Sequence, residues 1–245
     1  MRGKLEPLLC ELHAHTRWSD GALILSELVD LYGQNGFDVL AVTDHVVRRD
    51  DPWLPHDGPG CSVRGSNHAD YLAEILAQAE RARRDYDLLL VAGLELTFND
   101  PDPAASAHAV AVGCRPFVGL DDGLDLALAQ AREAGAALIA AHPYRQETGG
   151  GSPARATTRF SLEWRELEPL VDRWELFNRY ELFAWIAERG FPAVANGDFH
   201  QPEHLHGWKT LLPCAKSEEA VVDYLRSTRP AFLTRIDNVP LRQAA

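Results

Sequence analysis

Leu8-Leu9-Cys10-Glu11-Leu12-His13-Ala14-His15-Thr16 is a short apolar run that stops in two histidines, and Ser19-Asp20-Gly21 follows it. On an extended backbone, side chains at i and i+2 point the same way, so one cation can take both imidazoles. A single His-x-His pair arises often by chance. The same kind of ending recurs along the chain. Thr43-Asp44-His45 closes the second apolar run, Gly93-Leu94-Glu95 the third, and His108 opens the next. Ala141-His142-Pro143 closes another, and Gly197-Asp198-Phe199-His200 follows a later one. Ligating residues at the carboxyl ends of consecutive parallel strands converge on one mouth of a barrel.

Between these endings, apolar β-rich runs alternate with amphipathic helical patterns, the arrangement of a parallel α/β sheet or barrel. Strands are expected at Leu8–His13, Asp38–Thr43, Leu88–Leu94, His108–Gly113, Ala137–His142, Trp174–Phe177 and Pro192–Gly197. Later extended pieces fall at Thr210–Pro213 and Ala231–Thr234. Helices are expected at Ser26–Gln34, His68–Tyr86, Leu124–Ala134, Leu162–Val171, Glu181–Glu188 and Ser217–Ser227. Ser26, Asn67 and Ser217 read as N-terminal caps, and Gly36, Gly135 and Gly190 as C-terminal stops. Two stretches break the alternation: Arg48–Gly65, with Pro52, Pro55 and Pro59, and Gln146–Arg159, with Gly149-Gly150-Gly151. Each reads equally as a lid over a pocket or as a surface excursion.

A chain of 245 residues fits one barrel domain, residues 1–245, with a full buried core. Its formal charge of -12 disfavours coating a polyanion, so no stable nucleic-acid complex and no anionic membrane surface are expected as partners. Neither a leader-like apolar segment nor a run of about 18 apolar residues is present in the sequence. Cys10, Cys61, Cys114 and Cys214 are too far apart for a zinc ribbon, and thiols of this kind stay reduced in a cytoplasm, the expected location.

His13, His15, Asp20, His45, Glu95, His108, His142, Asp198 and His200 are nine candidate ligands, more than one tetrahedral zinc requires. Imidazole and carboxylate without thiolate suit zinc, manganese or iron in a multinuclear hydrolytic centre. In this order, the His-x-His, Ser-Asp-Gly, Thr-Asp-His, Gly-x-Glu, isolated His, Ala-His-Pro and Gly-x-Asp-x-His pieces resemble the polymerase and histidinol phosphatase (PHP) family of metal-dependent phosphoesterases. The resemblance runs from about Leu8 to His200. It implies an irregular (β/α)7 barrel with two or three divalent ions at the carboxyl ends of its strands. It further implies that His13, His15, Glu95 and Asp198 hold a first metal, and that Asp20, His45 and His200 hold a second. Glu95 would bridge to a third, completed by His108 and His142. Relatives use Asp or His at the Asp20 position. Asp44 fits an orienter behind a ligating imidazole better than a ligand.

Phosphate esters also need cationic donors, and Arg gives bidentate recognition. Arg145, beyond His142, is the first choice; Arg17, Arg179 and Lys209 also stand where an anion could arrive, and His68 opens a helix near the mouth. His56, His204 and His206 read as loop histidines. The expected activity is hydrolysis of a small phosphorylated metabolite or nucleotide by a hydroxide held between two metals, with Asp198 or a bound water protonating the leaving group. A metal-dependent carboxyl-ester or amide hydrolase is the rival enzyme reading. A non-catalytic regulatory module is the other, disfavoured because every ligand position is retained. Oligomeric state is left open.

Overall fold

The computed structural model describes residues 6–53, 62–145 and 157–237; residues 54–61, with His56 and Cys61, and 146–156 of the two Pro- and Gly-rich loops lie outside them. The chain runs β1 (Leu8–Glu11), α1 (Leu25–Gln34), β2 (Val39–Val42), β3 (His45–Val46), α2 (His68–Tyr86), β4 (Leu89–Phe98), β5 (Ala107–Val112), α3 (Leu124–Glu133) and β6 (Ala137–Ala141). The one-turn helices α4 (Arg159–Leu162) and α5 (Trp164–Leu167) precede β7 (Arg173–Asn178), β8 (Glu181–Leu182), α6 (Ala184–Arg189) and β9 (Ala193–Asn196). Last come β10 (Gly207–Leu212), α7 (Glu218–Arg226) and β11 (Phe232–Ile236).

The strands form one mixed sheet in the order β11-β10-β1-β2-β4-β5-β6-β7-β8, with β3 on β4 and β9 on β7. The sheet curls until its parts meet again. Ala14, past β1, bridges in parallel to Phe199, past β9. Thr210 Oγ1 on β10 accepts from the Ala195 amide at 2.9 Å and donates to the Ala195 carbonyl at 2.8 Å.

An all-parallel sheet, as the alternation of runs predicts, is not what forms. β5 lies antiparallel to both β4 and β6, and β8, β10 and β11 are antiparallel as well. The cause is a short connection: β4 and β5 are joined by residues 99–106 without a helix, and a parallel crossover needs a dozen or more residues. The reversal places His108, at the start of β5, opposite Thr97 and Ala141 near the carboxyl ends of its neighbours.

Period-2 alternation divides the apolar residues into two sets. Cys10, Val39, Ala41, Val91, Val110, Ile139 and Val194 fill the concave side, and α7 closes one end of it with Val221 and Leu225. Leu40, Val42, Leu90, Leu94 and Leu138 face outward, against Leu28 and Tyr32 of α1, Tyr71 and Ile75 of α2 and Leu128 of α3. Arg173, fully buried, donates to the carbonyls of Tyr224, Leu225, Ser227 and Arg229 at 2.7–2.9 Å, satisfying the end of α7.

Three local expectations change. Ser26 falls inside α1, whose first turn is closed by Glu27 Oε2 accepting from the Ile24 amide at 3.1 Å. The expected 162–171 helix is broken into single turns, with Pro169 in a 3-10 turn after α5. Glu181 and Leu182 pair with β7 as β8 before α6 begins. Among the described residues, no helix is long and apolar enough to cross a membrane.

Candidate metal centre

The concave face turns from apolar to ligating at one end of the sheet. On β4 the inward positions run Val91, Gly93, Glu95 and Thr97, so the strand that buries a valine in the core presents a carboxylate two residues beyond the glycine. Beyond β6 and β9, the chain bends immediately: His142 and Asp198 adopt positive φ of 28° and 44°, and Arg179, just past β7, has φ of 54°. Such non-glycine conformations cost of order 1–3 kcal/mol each and persist where the surroundings over-determine them. Three strand ends thus place a polar side chain at the mouth.

Eight of the nine sequence candidates gather into three overlapping groups: His15, Asp20, His45 and His200; His13, Glu95 and His142; and His13, His15 and Asp198. Within them His13 Nε2 is 3.5 Å from Glu95 Oε1 and 3.6 Å from Asp198 Oδ1, and His15 Nε2 is 3.5 Å from Glu95 Oε2 and 3.4 Å from Asp198 Oδ1. Asp20 Oδ1 is 3.4 Å from His45 Nε2 and 3.3 Å from His200 Nε2. His142 Nε2 lies 3.3 Å from Glu95 Oε1. These spacings match the roughly 3.4 Å edge of a tetrahedron whose bonds from centre to ligand are about 2.1 Å. His108 stands outside the three groups, with Nδ1 3.2 Å from Glu95 Oε1.

The donors fit a metal on a second count. His13 Nε2, His15 Nε2 and His108 Nδ1 are buried without a well-aligned hydrogen bond, a costly state that ligation relieves. Their other ring atoms are held from behind. His13 Nδ1 lies 3.0 Å from Glu175 Oε1, His45 Nδ1 2.7 Å from Thr97 Oγ1, and His108 Nε2 2.9 Å from Asn99 Oδ1. A Glu175 carboxylate that takes the Nδ1 proton leaves the His13 Nε2 lone pair free for a cation.

Without metal, protons take up the balance. Burial drives the His13 and His45 imidazolium pKa values down, but Asp198, Glu95 and Glu175 around His13, and Glu95 and Asp20 around His45, outweigh it and hold both well above the ordinary value. His142 and His200 are raised for the same reason, against burial, by Glu95 and Asp20 respectively together with Asp198. His15 goes the other way, pushed down to about 3 by burial and by His45 and His200. His108 is lowered by burial in spite of Glu95. Burial raises the Glu95 and Asp198 carboxyls, yet the histidines hold both well below the usual carboxylate range. An ionised Asp198 suits a ligand and not the acid that protonates a leaving group.

Of the expected substrate contacts, two are buried and two more are held by neighbouring groups. Lys209 is fully buried, with Nζ 2.7 Å from Glu11 Oε2 and 3.2 Å from the His204 carbonyl, so no anion reaches it. Arg145 is tied to Glu188 on α6 at 2.7 Å. His68 is buried between the Phe117 and Tyr71 rings. Arg17 is exposed and donates through Nε to the Ala22 carbonyl. Arg179 does stand at the cluster: Nη2 is 3.1 Å from Asp198 Oδ2, and the guanidinium is about a third exposed at 35%. Asp44 orients a loop and no imidazole directly, accepting from the amides and hydroxyls of Thr16 and Ser19 at 2.7–3.1 Å. His204 accepts from the His200 amide through Nδ1 and is pushed down to about 4 by burial and by Arg179.

Two buried carboxylates escape a reading that looks only at strand ends. Glu175 sits within β7 and holds His13 Nδ1, the His142 amide, Asn178 and Asn196. Glu11 lies in the seam between β1, the end of β9 and β10, and accepts from Lys209, Tyr32 and the Gly197 amide. An acid inside an otherwise apolar run was the available signal for both.

No protein-family model and no curated protein matches the sequence. Among solved structures, a two-domain protein from Bacteroides vulgatus containing a predicted PHP-like metal-dependent phosphoesterase superposes with a TM-score of 0.65 at 20% identity. The match covers 94% of this chain and 65% of that protein, so this chain spans less than two thirds of its length. An amidohydrolase from Chromobacterium violaceum, with bound sulfate and no metal, superposes with a TM-score of 0.52 at 18% identity, over 79% of this chain and 88% of that one. At such identities the likeness establishes architecture: the chain shares the fold of a PHP-like metal-dependent phosphoesterase.

Proposed function

We propose that the chain is a PHP-family phosphoesterase: a single barrel-type domain that uses two or three zinc, manganese or iron ions to hydrolyse a small phosphorylated metabolite or nucleotide. The observation that carries this reading is the trio of ligand groups sharing His13 and His15, with the Arg179 guanidinium against Asp198. The single free Nε2 lone pair of His13 serves one ion, so Asp20, His45 and His200 would hold one ion, His13, His15 and Asp198 a second, and Glu95 and His142 a third. When bound, the ions supply Lewis-acid polarisation and neutralise charge on the ester's non-bridging oxygens.

The remaining work falls to the protein. Glu175 fixes the His13 tautomer and, through the His142 amide, the turn after β6. Thr97 and Asn99 do the same for His45 and His108. Arg179 spends Nε on the Gly197 carbonyl and Nη2 on the Asp198 carbonyl and Oδ2, which leaves Nη1 as its cationic donor for the arriving phosphate, a group it recognises better than a neutral carbonyl. That preference separates the phosphoester reading from the amide and carboxyl-ester reading, which uses the same ligands.

The test is turnover by metal-replete protein of phosphomonoesters, cyclic and linear phosphodiesters, carboxyl esters and amides. Phosphoester hydrolysis that is lost on chelation and in His45→Ala, with an unchanged far-ultraviolet dichroism spectrum, is the expected result. Turnover confined to carboxyl esters or amides overturns the proposal.

A further inference from the structure

A cavity of about 400 Å³ opens between residues 47–49, 62–66 and 117–121. Its size suits a small ligand. Three guanidinium-bearing residues line it, Arg48, Arg49 and Arg64, together with Ser62 and Asp121. We propose that this cavity is an oxyanion site, distinct from the metal centre, that takes a phosphate or carboxylate group.

Two buried donors there lack an acceptor. Ser62 is 3% exposed and its hydroxyl has no hydrogen-bond partner; Arg48 Nε is likewise buried and unbonded. Arg48 is otherwise held by the Asn99 carbonyl and the Phe98 ring, and the Asp50 carboxylate stays 3.8 Å from its Nε. Arg64 is exposed, and among the described residues only its backbone is engaged, the amide on Asn67 Oδ1 and the carbonyl by the Asn67 and His68 amides. Donors without acceptors call for a ligand rich in lone pairs, which excludes an ammonium or a metal cation. The charged residues lining the cavity are three arginines and Asp121, which is bonded to Arg49 at 2.7 Å; Asp51 is turned away, onto Asn99 and the Trp53 amide.

The site stands beside the metal centre without being part of it. Arg48 follows His45 by three residues, a reach of at most about 11 Å, and the Val63 amide donates to the His45 carbonyl. The same Asn99 that accepts from His108 offers its carbonyl to Arg48. An oxyanion there comes either from the solution or from a second acidic group on the substrate.

Inorganic phosphate titrated calorimetrically into chelator-treated protein is the direct probe, compared among wild type, Arg64→Gln, Ser62→Ala and, as a control for lost charge, Arg84→Gln. Arg64 is exposed and its side chain supports no neighbour, so thermal melts of Arg64→Gln should match wild type. The expected result is one phosphate-binding phase weakened at least tenfold in Arg64→Gln and also weakened in Ser62→Ala, with Arg84→Gln unchanged. Titrations of Arg64→Gln that superimpose on wild type overturn the proposal whether or not the protein proves to be a phosphoesterase. In metal-replete protein, a KM raised in Arg64→Gln only for phosphate esters that also bear a carboxylate assigns the site to the substrate. Equal KM values with lost phosphate binding assign it to a free anion.

Discussion

Lys209→Met should destabilise the protein strongly, and by an amount that depends on pH in a defined direction. The Lys209 ammonium and the Glu11 carboxylate are both fully inaccessible and 2.7 Å apart. Removing one partner of such a pair costs about 3–5 kcal/mol, because the other charge stays buried. Glu11 keeps three donors, the Tyr32 hydroxyl at 3.1 Å and the amides of Gly197 and His13 at 2.8 and 3.3 Å. The folded variant can also escape by taking up a proton, which for a glutamate in water costs about 3.7 kcal/mol at pH 7. Those two limits place the loss near 3–4 kcal/mol, or about 6–16 °C in Tm for a chain of this size. Since the variant buys its folded state with a proton, the gap from wild type should narrow by about 1.4 kcal/mol for each pH unit below 7. Glu11→Gln/Lys209→Met, which removes both charges, should recover most of the loss. Calorimetric melts of chelator-treated protein at pH 7 and pH 5 measure all three quantities. A melt of Lys209→Met within 2 °C of wild type, or a gap that widens on acidification, refutes the reasoning. A variant of unchanged stability with a raised KM would return Lys209 to the anion-binding role that its place in the sequence suggests.

Glu175→Gln keeps the shape but loses the charge behind His13, and metal affinity measured by chelator competition should fall about 10- to 100-fold; undiminished affinity would show that the tautomer is fixed by something else. Metal loading should release protons, because His13, His45, His142 and His200 all have raised pKa values in the metal-free protein and must deprotonate to ligate. Apparent affinity should therefore fall as pH drops, starting above the ordinary histidine range near 6.5. A pH indicator in weakly buffered solution reads the release, and loading without it contradicts the assignment.

What was legible in the sequence was chemistry tied to strand ends. His13, His15, His45, Glu95, His142, Asp198 and His200 each follow or close an apolar run, and the curl of the sheet needs only that those ends share a rim. Partners distant along the chain were not legible. Lys209 and Glu11 are 198 residues apart, and Arg145 and Glu188 are 43 apart, so neither cation's destination could be read from its neighbours. His68 misled for a related reason: a helix start near the mouth says nothing of Phe117, which packs on its ring. β5 shows the converse. The direction of the strand was misjudged, yet His108 still arrives beside Glu95, because a ligand that begins an antiparallel strand occupies the same rim as one that ends a parallel strand.

The metal-free centre is close to electrically balanced. Asp20, Glu95, Glu175 and Asp198 are held as carboxylates, four negative charges, while His13, His45, His142 and His200 are favoured as imidazolium, four positive ones. Ions at the Asp20, His45 and His200 group and at the His13, His15 and Asp198 group would add four positive charges and displace the three protons of His13, His45 and His200, leaving the centre near +1. A third ion, at Glu95 and His142, would displace the His142 proton and bring the centre to +2, counting the ions' own charge. In a chain of formal charge -12, attraction for an anionic substrate therefore grows at each stage of loading, and Arg179 beside Asp198 adds to it.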